Sequence, residues 1–224
     1  MMNGRVFVIT GATGATGKIA GTEFAGKGAS LVLVGTDQGK LDALVPDLNL
    51  PAARLLTLTA DLRNGPAVQK AAEAVSTKFG RVDALIHLVG GFIGGKMLNE
   101  STAEDFESML NQHAWTTFNL LQAFGPRLAA NKWGRILVVS ALNVAHPTGK
   151  SGPYVAAKAA QEALILTAAA EWKDSGVTAN IIQVKSIDVK GDGKGSTPAD
   201  IVAAMQNLCS DESGKVNGER IPLG

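Results

Sequence analysis

What this chain lacks narrows its chemistry before any motif is read. It has one cysteine, Cys209, so no intrachain disulfide can form, and two of the usual zinc-ligand patterns are absent. No metal is expected. Its 21 Lys and Arg face 20 Asp and Glu, which leaves no basic surplus to hold nucleic acid or an anionic membrane. No apolar run is long enough to span a bilayer. The first strand is expected at about Arg5, which leaves no room for a signal peptide, so a cytoplasmic protein is expected. Aromatic residues are scarce, at 5 %, and there is a single tyrosine.

What is present is regular alternation. Apolar, β-branched runs at Arg5–Thr10, Ser30–Gly35, Arg54–Thr59, Asp83–Val89, Arg135–Ser140, Val177–Val184 and Val216–Pro222 read as strands. Helical patterns lie between them, near Lys18–Lys27, Lys40–Val45, Pro66–Phe79, Ala103–Asn131, Pro153–Ser175 and Pro198–Cys209. Strands without polar alternation imply a sheet buried on both faces, hence an α/β domain with a doubly wound parallel sheet. The expectation is one domain over 1–224, a seven-stranded sheet in a three-layer α/β/α sandwich. No internal repeat or linker is found. The glycine-rich patch Lys190–Ser196 reads as a mobile surface loop.

Between the first strand and the first helix stands Thr10-Gly11-Ala12-Thr13-Gly14-Ala15-Thr16-Gly17. A buried strand that enters a helix through glycines suits a dinucleotide. Glycines permit the tight turn and the close approach of the pyrophosphate, and the helix N-terminus offers free N–H groups and partial positive charge. Glycine loops also make plain turns, so context must decide. That context includes Tyr154 and Lys158, four apart and on one face of a predicted helix. An ammonium beside a phenol favours the phenolate and would lower its pKa, which makes tyrosine usable as an acid or base near neutrality. Such pairs also occur by chance on surface helices.

Glycine loop, strand order and the Tyr154/Lys158 pair together resemble the short-chain dehydrogenase/reductase family, over nearly the whole chain. Thr10 to Gly17 matches its TGxxx[A/G]xG loop, with Ala15 in the middle position. Asp61 in Ala60-Asp61-Leu62 matches the acid that bonds the adenine amino group. Phe79-Gly80-Arg81-Val82-Asp83 and Trp133-Gly134-Arg135-Ile136 match the approaches to the fourth and fifth strands. The resemblance implies a Rossmann fold that binds NAD(P). It makes Tyr154 the proton donor to a substrate carbonyl and Lys158 the holder of the nicotinamide ribose, with hydride chemistry belonging to the cofactor. Cofactor contacts are thereby expected at Gly11, Thr13, Gly14, Ala15, Thr16, Gly17, Thr36, Asp61, Leu62, Val89, Gly90, Tyr154, Lys158 and Ile187.

Several positions depart from the family. Its NNAG after the fourth strand reads His87-Leu88-Val89-Gly90 here. His87 lies in an apolar strand and reads as a bonded core histidine rather than a catalyst. The family's catalytic serine, thirteen residues before the tyrosine, falls on Ala141. Ser140 is adjacent and either enters the site or, since neighbouring strand residues point oppositely, faces away and leaves the role unfilled. The family's asparagine in the helix after the fourth strand aligns with His113, two residues beyond Asn111. The imidazole either shuttles protons beside Lys158 or only packs. Val184-Lys185 replaces a Pro-Gly pair, and the short segment up to Pro198 implies a reduced lid.

Gly35 stands where an acid would bind the adenosine ribose hydroxyls, and Thr36 follows, which favours NADP(H) over NAD(H). No arginine stands there, and Asp37 is close by. The leading reading is a carbonyl reductase or alcohol dehydrogenase acting on a small-molecule substrate. Val89-Gly90-Gly91-Phe92, Gly94-Gly95, Trp115-Thr116 and the short lid look like the dihydropteridine reductase branch, which reduces a flat quinonoid pterin. The departures also admit a nucleotide-binding sensor or scaffold without catalysis. An extended-branch epimerase fits TGxxGxxG, but the sheet closes without the large C-terminal substrate domain of that branch. A homodimer or homotetramer is implied, with Phe118, Leu121, Phe124, Leu128 and Trp172 as candidate apolar contacts unless they face the sheet.

Overall fold

A computed structural model describes residues 2–223. Seven strands alternate with helices: β1 (Val6–Thr10), α1 (Ala15–Gly26), β2 (Ser30–Gly35), α2 (Gln38–Asp42), α3 (Val45–Leu48), β3 (Leu55–Thr59), α4 (Gly65–Phe79) and β4 (Ala84–His87). There follow α5 (Ala103–Leu110), a π-helical turn (Asn111–Trp115), α6 (Thr116–Ala130), β5 (Gly134–Ala141), α7 (Gly152–Glu171), β6 (Val177–Val184), α8 (Pro198–Leu208) and β7 (Arg220–Leu223). The sheet order is β3-β2-β1-β4-β5-β6-β7 and every pairing is parallel. This is the doubly wound Rossmann arrangement the sequence predicts.

Strand periodicity sorts the core into two halves. In β1, Val6 and Val8 join a cluster with Val68 and Ala72 of α4, Leu120 and Phe124 of α6 and Ile165 of α7. Phe7 and Ile9 point the other way, into a cluster with Phe24 of α1, Leu41 of α2 and Ile201 and Met205 of α8. Each such side chain, fully buried, contributes about 1.5–3 kcal/mol, and both faces of the sheet are covered. Three layers result.

The order reverses at β1, which pairs with β2 on one side and β4 on the other. Chains leave this switch point in opposite directions and open a crevice at the carboxyl ends of the strands. Register sets Thr10 beside His87 across β1 and β4, and His87 beside Val138 across β4 and β5.

Local differences have identifiable causes. The predicted helix Ala103–Asn131 is interrupted by the π turn, which inserts one residue per turn and rotates the faces on either side of it. Lys40–Val45 is two short helices, because Pro46 restarts α3 at its N-terminal turn. The last strand begins at Arg220 rather than Val216: Gly218 has φ +75°, incompatible with extended chain, and Asn180 bonds this segment through its side chain. The patch Lys190–Ser196 is anchored rather than free. Asp188 Oδ1 accepts the Gly191 and Asp192 N–H groups at 2.8 and 3.1 Å, and its Oδ2 accepts Gly193 N–H at 2.7 Å. Those bonds hold its carboxyl below the usual range against the opposing effect of burial.

Candidate active site

The ends of β4, β5 and β6 and the first turns of α7 enclose a cavity of about 300 Å³. Its walls are His87 to Phe92, His113, Val139 to Ala141, Tyr154, Lys158, Val184 to Ile187, and Thr16 of α1. The sequence-predicted Tyr154, Lys158, Ser140, His113, Thr16, Val89, Gly90 and Ile187 are therefore brought together. A second cavity of about 220 Å³ is lined by Thr36, Asp61, Leu62 and Val89, and Val89 borders both. Thr13, Gly14 and Gly17 border a third, of about 480 Å³, between α1 and the α2–α3 segment. Gly11 and Ala15 form the turn and first helical residue between these spaces.

The glycine loop has no room for side chains at two points. Gly11 has φ +70°, and a Cβ there would stand 2.9 Å from the Leu88 carbonyl. A Cβ on Gly17 would overlap the Gly11 carbonyl oxygen and the Ala12 backbone. Gly14 at the N-cap of α1 supplies no side-chain acceptor, so the first-turn N–H groups remain available to an anion.

Tyr154 sits in the first turn of α7, half-buried, and Lys158 one turn later, buried. The Tyr154 ring meets Phe92 edge-on at 5.0 Å between centroids and His113 at 5.6 Å. Sequence spacing predicts a phenol acidified by its lysine; the structure differs. Lys158 Nζ donates to the Val139 carbonyl at 2.7 Å and to Gln161 Oε1 at 2.9 Å, so its charge is spent on β5 and its own helix. Burial then pushes the Tyr154 hydroxyl above its ordinary pKa. The same burial lowers Lys158 to about 7, with Glu162 one turn on opposing the shift.

Ser140 lies on the site side of β5, with a buried Oγ that has no hydrogen-bond partner among the described residues. His113 stands inside the π turn. Its Nε2 is 2.9 Å from the Gly91 carbonyl, while Nδ1 is buried without a partner. Burial lowers His113 to about 4, and the Lys158 charge adds to this, so the ring is neutral at neutral pH. His87 is the bonded core histidine that its strand context predicts: Nδ1 is 2.7 Å from Thr10 Oγ1 and Nε2 is 3.2 Å from Thr116 Oγ1. Burial, with the Lys158 charge second, depresses it to about 3.

Asp61 does not stand free beside the adenine-side cavity. Arg63 grips it with two hydrogen bonds of 2.9 Å, and these hold its carboxyl below the usual range. Asp37 accepts the Lys40 N–H at 3.0 Å as the α2 N-cap, with Lys40 Nζ 3.8 Å away. Reading the sequence misses Arg63 and Lys40, whose only signal is a cation a few residues beyond a strand end. It also misses Gln161, Thr117 and Glu162, which nothing but packing brings to Lys158. Of the proposed oligomer contacts, Leu121, Phe124 and Leu128 are buried in the core, and Trp172 packs on Gly125. Only Phe118 is exposed, joined by Trp115 at 5.8 Å.

A family model described as short chain dehydrogenase matches residues 5–197. The chain belongs to the short-chain dehydrogenase family. It is thus an NAD(P)-dependent oxidoreductase for a small-molecule substrate. A (2S)-[(R)-hydroxy(phenyl)methyl]succinyl-CoA dehydrogenase subunit of Thauera aromatica is 28 % identical, over 96 % of this chain and 93 % of its own. An NADPH-dependent pterin aldehyde reductase of Arabidopsis thaliana is 30 % identical, over 75 % of this chain and 69 % of its own. A short-chain dehydrogenase structure from Bacillus anthracis superposes with TM-score 0.90 at 28 % identity, covering 100 % of this chain and 96 % of the other.

Proposed function

We propose that this short-chain dehydrogenase transfers hydride between NADP(H) and the carbonyl or alcohol of a flat, largely apolar substrate, with Tyr154 as acid/base and Lys158 assisting it. One observation carries the assignment: the Tyr154 phenol, Lys158, and the orphaned polar atoms of Ser140 and His113 line one crevice below the glycine loop. Buried polar atoms without partners cost free energy, and a bound group would complete these two; Arg135 Nε, Asn143 Oδ1 and Thr178 Oγ1 are unpartnered away from this crevice.

The cofactor supplies the hydride. Gly11, Thr13, Gly14, Ala15, Thr16 and Gly17 seat its phosphates; Val89, Gly90 and Ile187 border the nicotinamide end, and Thr36, Asp61 and Leu62 the adenine end. Tyr154 gives its proton to the developing alkoxide; its raised pKa keeps the phenol protonated and so able to donate at neutral pH, although as a weaker acid. Ser140 Oγ offers a second donor, in place of Ala141, and His113 Nδ1, on a ring that stays neutral, accepts a hydrogen bond from water or substrate. The NADP(H) preference draws on Gly35 and Thr36 at the end of β2, where no acid stands to repel a 2′-phosphate; the nearby Asp37 carboxylate caps α2 and has Lys40 Nζ 3.8 Å away to offset its charge.

Phe92 edge-on to Tyr154, with Leu88, Val89 and Ile187 around it, favours a planar heteroaromatic carbonyl, as does the likeness to a pterin aldehyde reductase. A pterin is the first substrate class to try. The exposed Trp115 and Phe118 supply an apolar face for a homodimer or homotetramer. A sensor without catalysis is not favoured, because nothing in binding alone calls for a tyrosine and a lysine in the crevice.

The test is fluorescence binding of NADPH against NADH, then turnover with quinonoid pterins, pterin aldehydes and quinones. Tyr154→Phe should cut turnover by about 10²–10⁴-fold and leave NADPH affinity within about twofold. Unchanged turnover in Tyr154→Phe, or equal indifference to both nucleotides, overturns the reading.

A further inference from the structure

Behind Lys158 lies a chain of buried polar groups that the reaction as read above does not use. Gln161, 1 % exposed, stands one turn after Lys158 on α7. Its Oε1 accepts from Lys158 Nζ at 2.9 Å and its Nε2 donates to Thr117 Oγ1 at 2.9 Å. Thr117 Oγ1 in turn donates to the His113 carbonyl at 2.7 Å. Both ends of the carboxamide are thus satisfied, and its flip state is fixed by the network: only a carbonyl oxygen can face the ammonium. The chain links the lysine to the π turn that carries His113.

We propose that Gln161 is a positioning residue, a latch that parks Lys158 on the Val139 carbonyl and ties its position and proton affinity to the π turn through Thr117. The proposal rests on the assignment of Lys158 to the cofactor side of the crevice. A carboxamide oxygen pointed at an ammonium favours its charged form, and an apolar neighbour would not. The groups that also face Lys158 are few. Glu162 on α7 attracts the charge, but its carboxylate is engaged by Arg220 of β7 at 2.6 Å and by Gln183 of β6 at 2.9 Å. His113 and His87 both feel the Lys158 charge, Tyr154 shares its helix face, and Lys185 lines the same cavity. Glu162 is common to all variants below, so differences among them report on position 161.

The experiment follows the Lys158 ammonium by ¹⁵N NMR in lysine-labelled protein without cofactor, assigned with Lys158→Arg, across pH 5–10. In Gln161→Met, of similar shape, the Lys158 midpoint should fall by about half a pH unit or more, and in Gln161→Glu it should rise. Thr117→Val should shift it in the direction of Gln161→Met by a smaller amount, and Thr117→Ser should restore the wild-type value. In turnover the alkaline limb of the kcat profile, where the ammonium is lost, should move with the midpoint, while KM for the carbonyl substrate stays within about twofold. A midpoint identical in wild type, Gln161→Met and Gln161→Glu, with each variant folded by circular dichroism, overturns the latch. That result would leave the reductase reading intact. Conversely, a shifted midpoint in a protein that turns over no carbonyl would retain the latch and remove the reductase.

Discussion

At the scale of single residues, the site is governed by where small groups are tolerated and where polar atoms are left over. Gly17 is the sharper case of the first. A methyl group there collides with the Gly11 carbonyl, which is backbone and cannot rotate aside. Gly17→Ala should therefore displace the loop and weaken NADPH binding by about tenfold or more, at a stability cost of about 1–3 kcal/mol, read by fluorescence titration and urea midpoint. Binding unchanged within twofold would mean that the loop is not the phosphate seat. Of the unpartnered buried polar atoms among the described residues, Ser140 Oγ and His113 Nδ1 line the site. Spacing alone put Ser140 in doubt, because it could not say which face of β5 the residue takes. The Ser140–Gln183 register and the packing of α7 on that face decide it.

Elements set the next scale. Helix α7 was legible because Tyr154 and Lys158 recur at helical spacing in an alanine-rich run with Pro153 in its first turn. The helix before β5 was not legible in full. Periodicity over Ala103–Asn131 shows no break, and a π turn costs too little in pattern to announce itself. Yet this turn carries His113 against Gly91 and rotates Trp115 and Phe118 outward. Those two rings, 53 % and 37 % exposed, make the helix face on which an assembly would close. Sedimentation at micromolar concentration should give a dimer or tetramer. Trp115→Ser with Phe118→Ser should weaken it by about 10–100-fold without loss of secondary structure. A wild-type monomer at that concentration rejects the interface.

For the molecule as a whole, the buried histidines tie stability to pH. His87 and His113 are lowered to about 3 and about 4, beneath the ordinary value near 6.5 that they regain on unfolding. The unfolded chain therefore binds more protons than the folded one in that window. Their contribution is fully present above about pH 6.5 and is lost as pH falls through 4 toward 3. Lys158, lowered to about 7, acts with the same sign higher up: stability climbs between pH 7 and the ordinary lysine range. Urea midpoints should thus decline between pH 6.5 and 4.5, above the range where the paired carboxylates begin to protonate. His113→Gln, which keeps a donor for the Gly91 carbonyl, should flatten that decline by about half. A slope equal to wild type would show that His113 is not held neutral by its burial.

Sequence by itself determined the alternation of strands and helices, the doubly wound parallel sheet, the glycine loop and the Tyr154/Lys158 pair. Each of these follows from short-range pattern: which residues are apolar, which lack a Cβ, and which sit one helical turn apart. Tertiary structure alone decided that Lys158 turns toward Val139 and Gln161, that Arg63 occupies Asp61, that Asp188 gathers the Lys190–Ser196 patch, and that Tyr154 is made a weaker acid rather than a stronger one. Desolvation and hydrogen-bond partnership depend on groups from different elements, up to 44 residues apart for Gln161 and Thr117, and no local pattern encodes which of several acceptors a buried ammonium will choose.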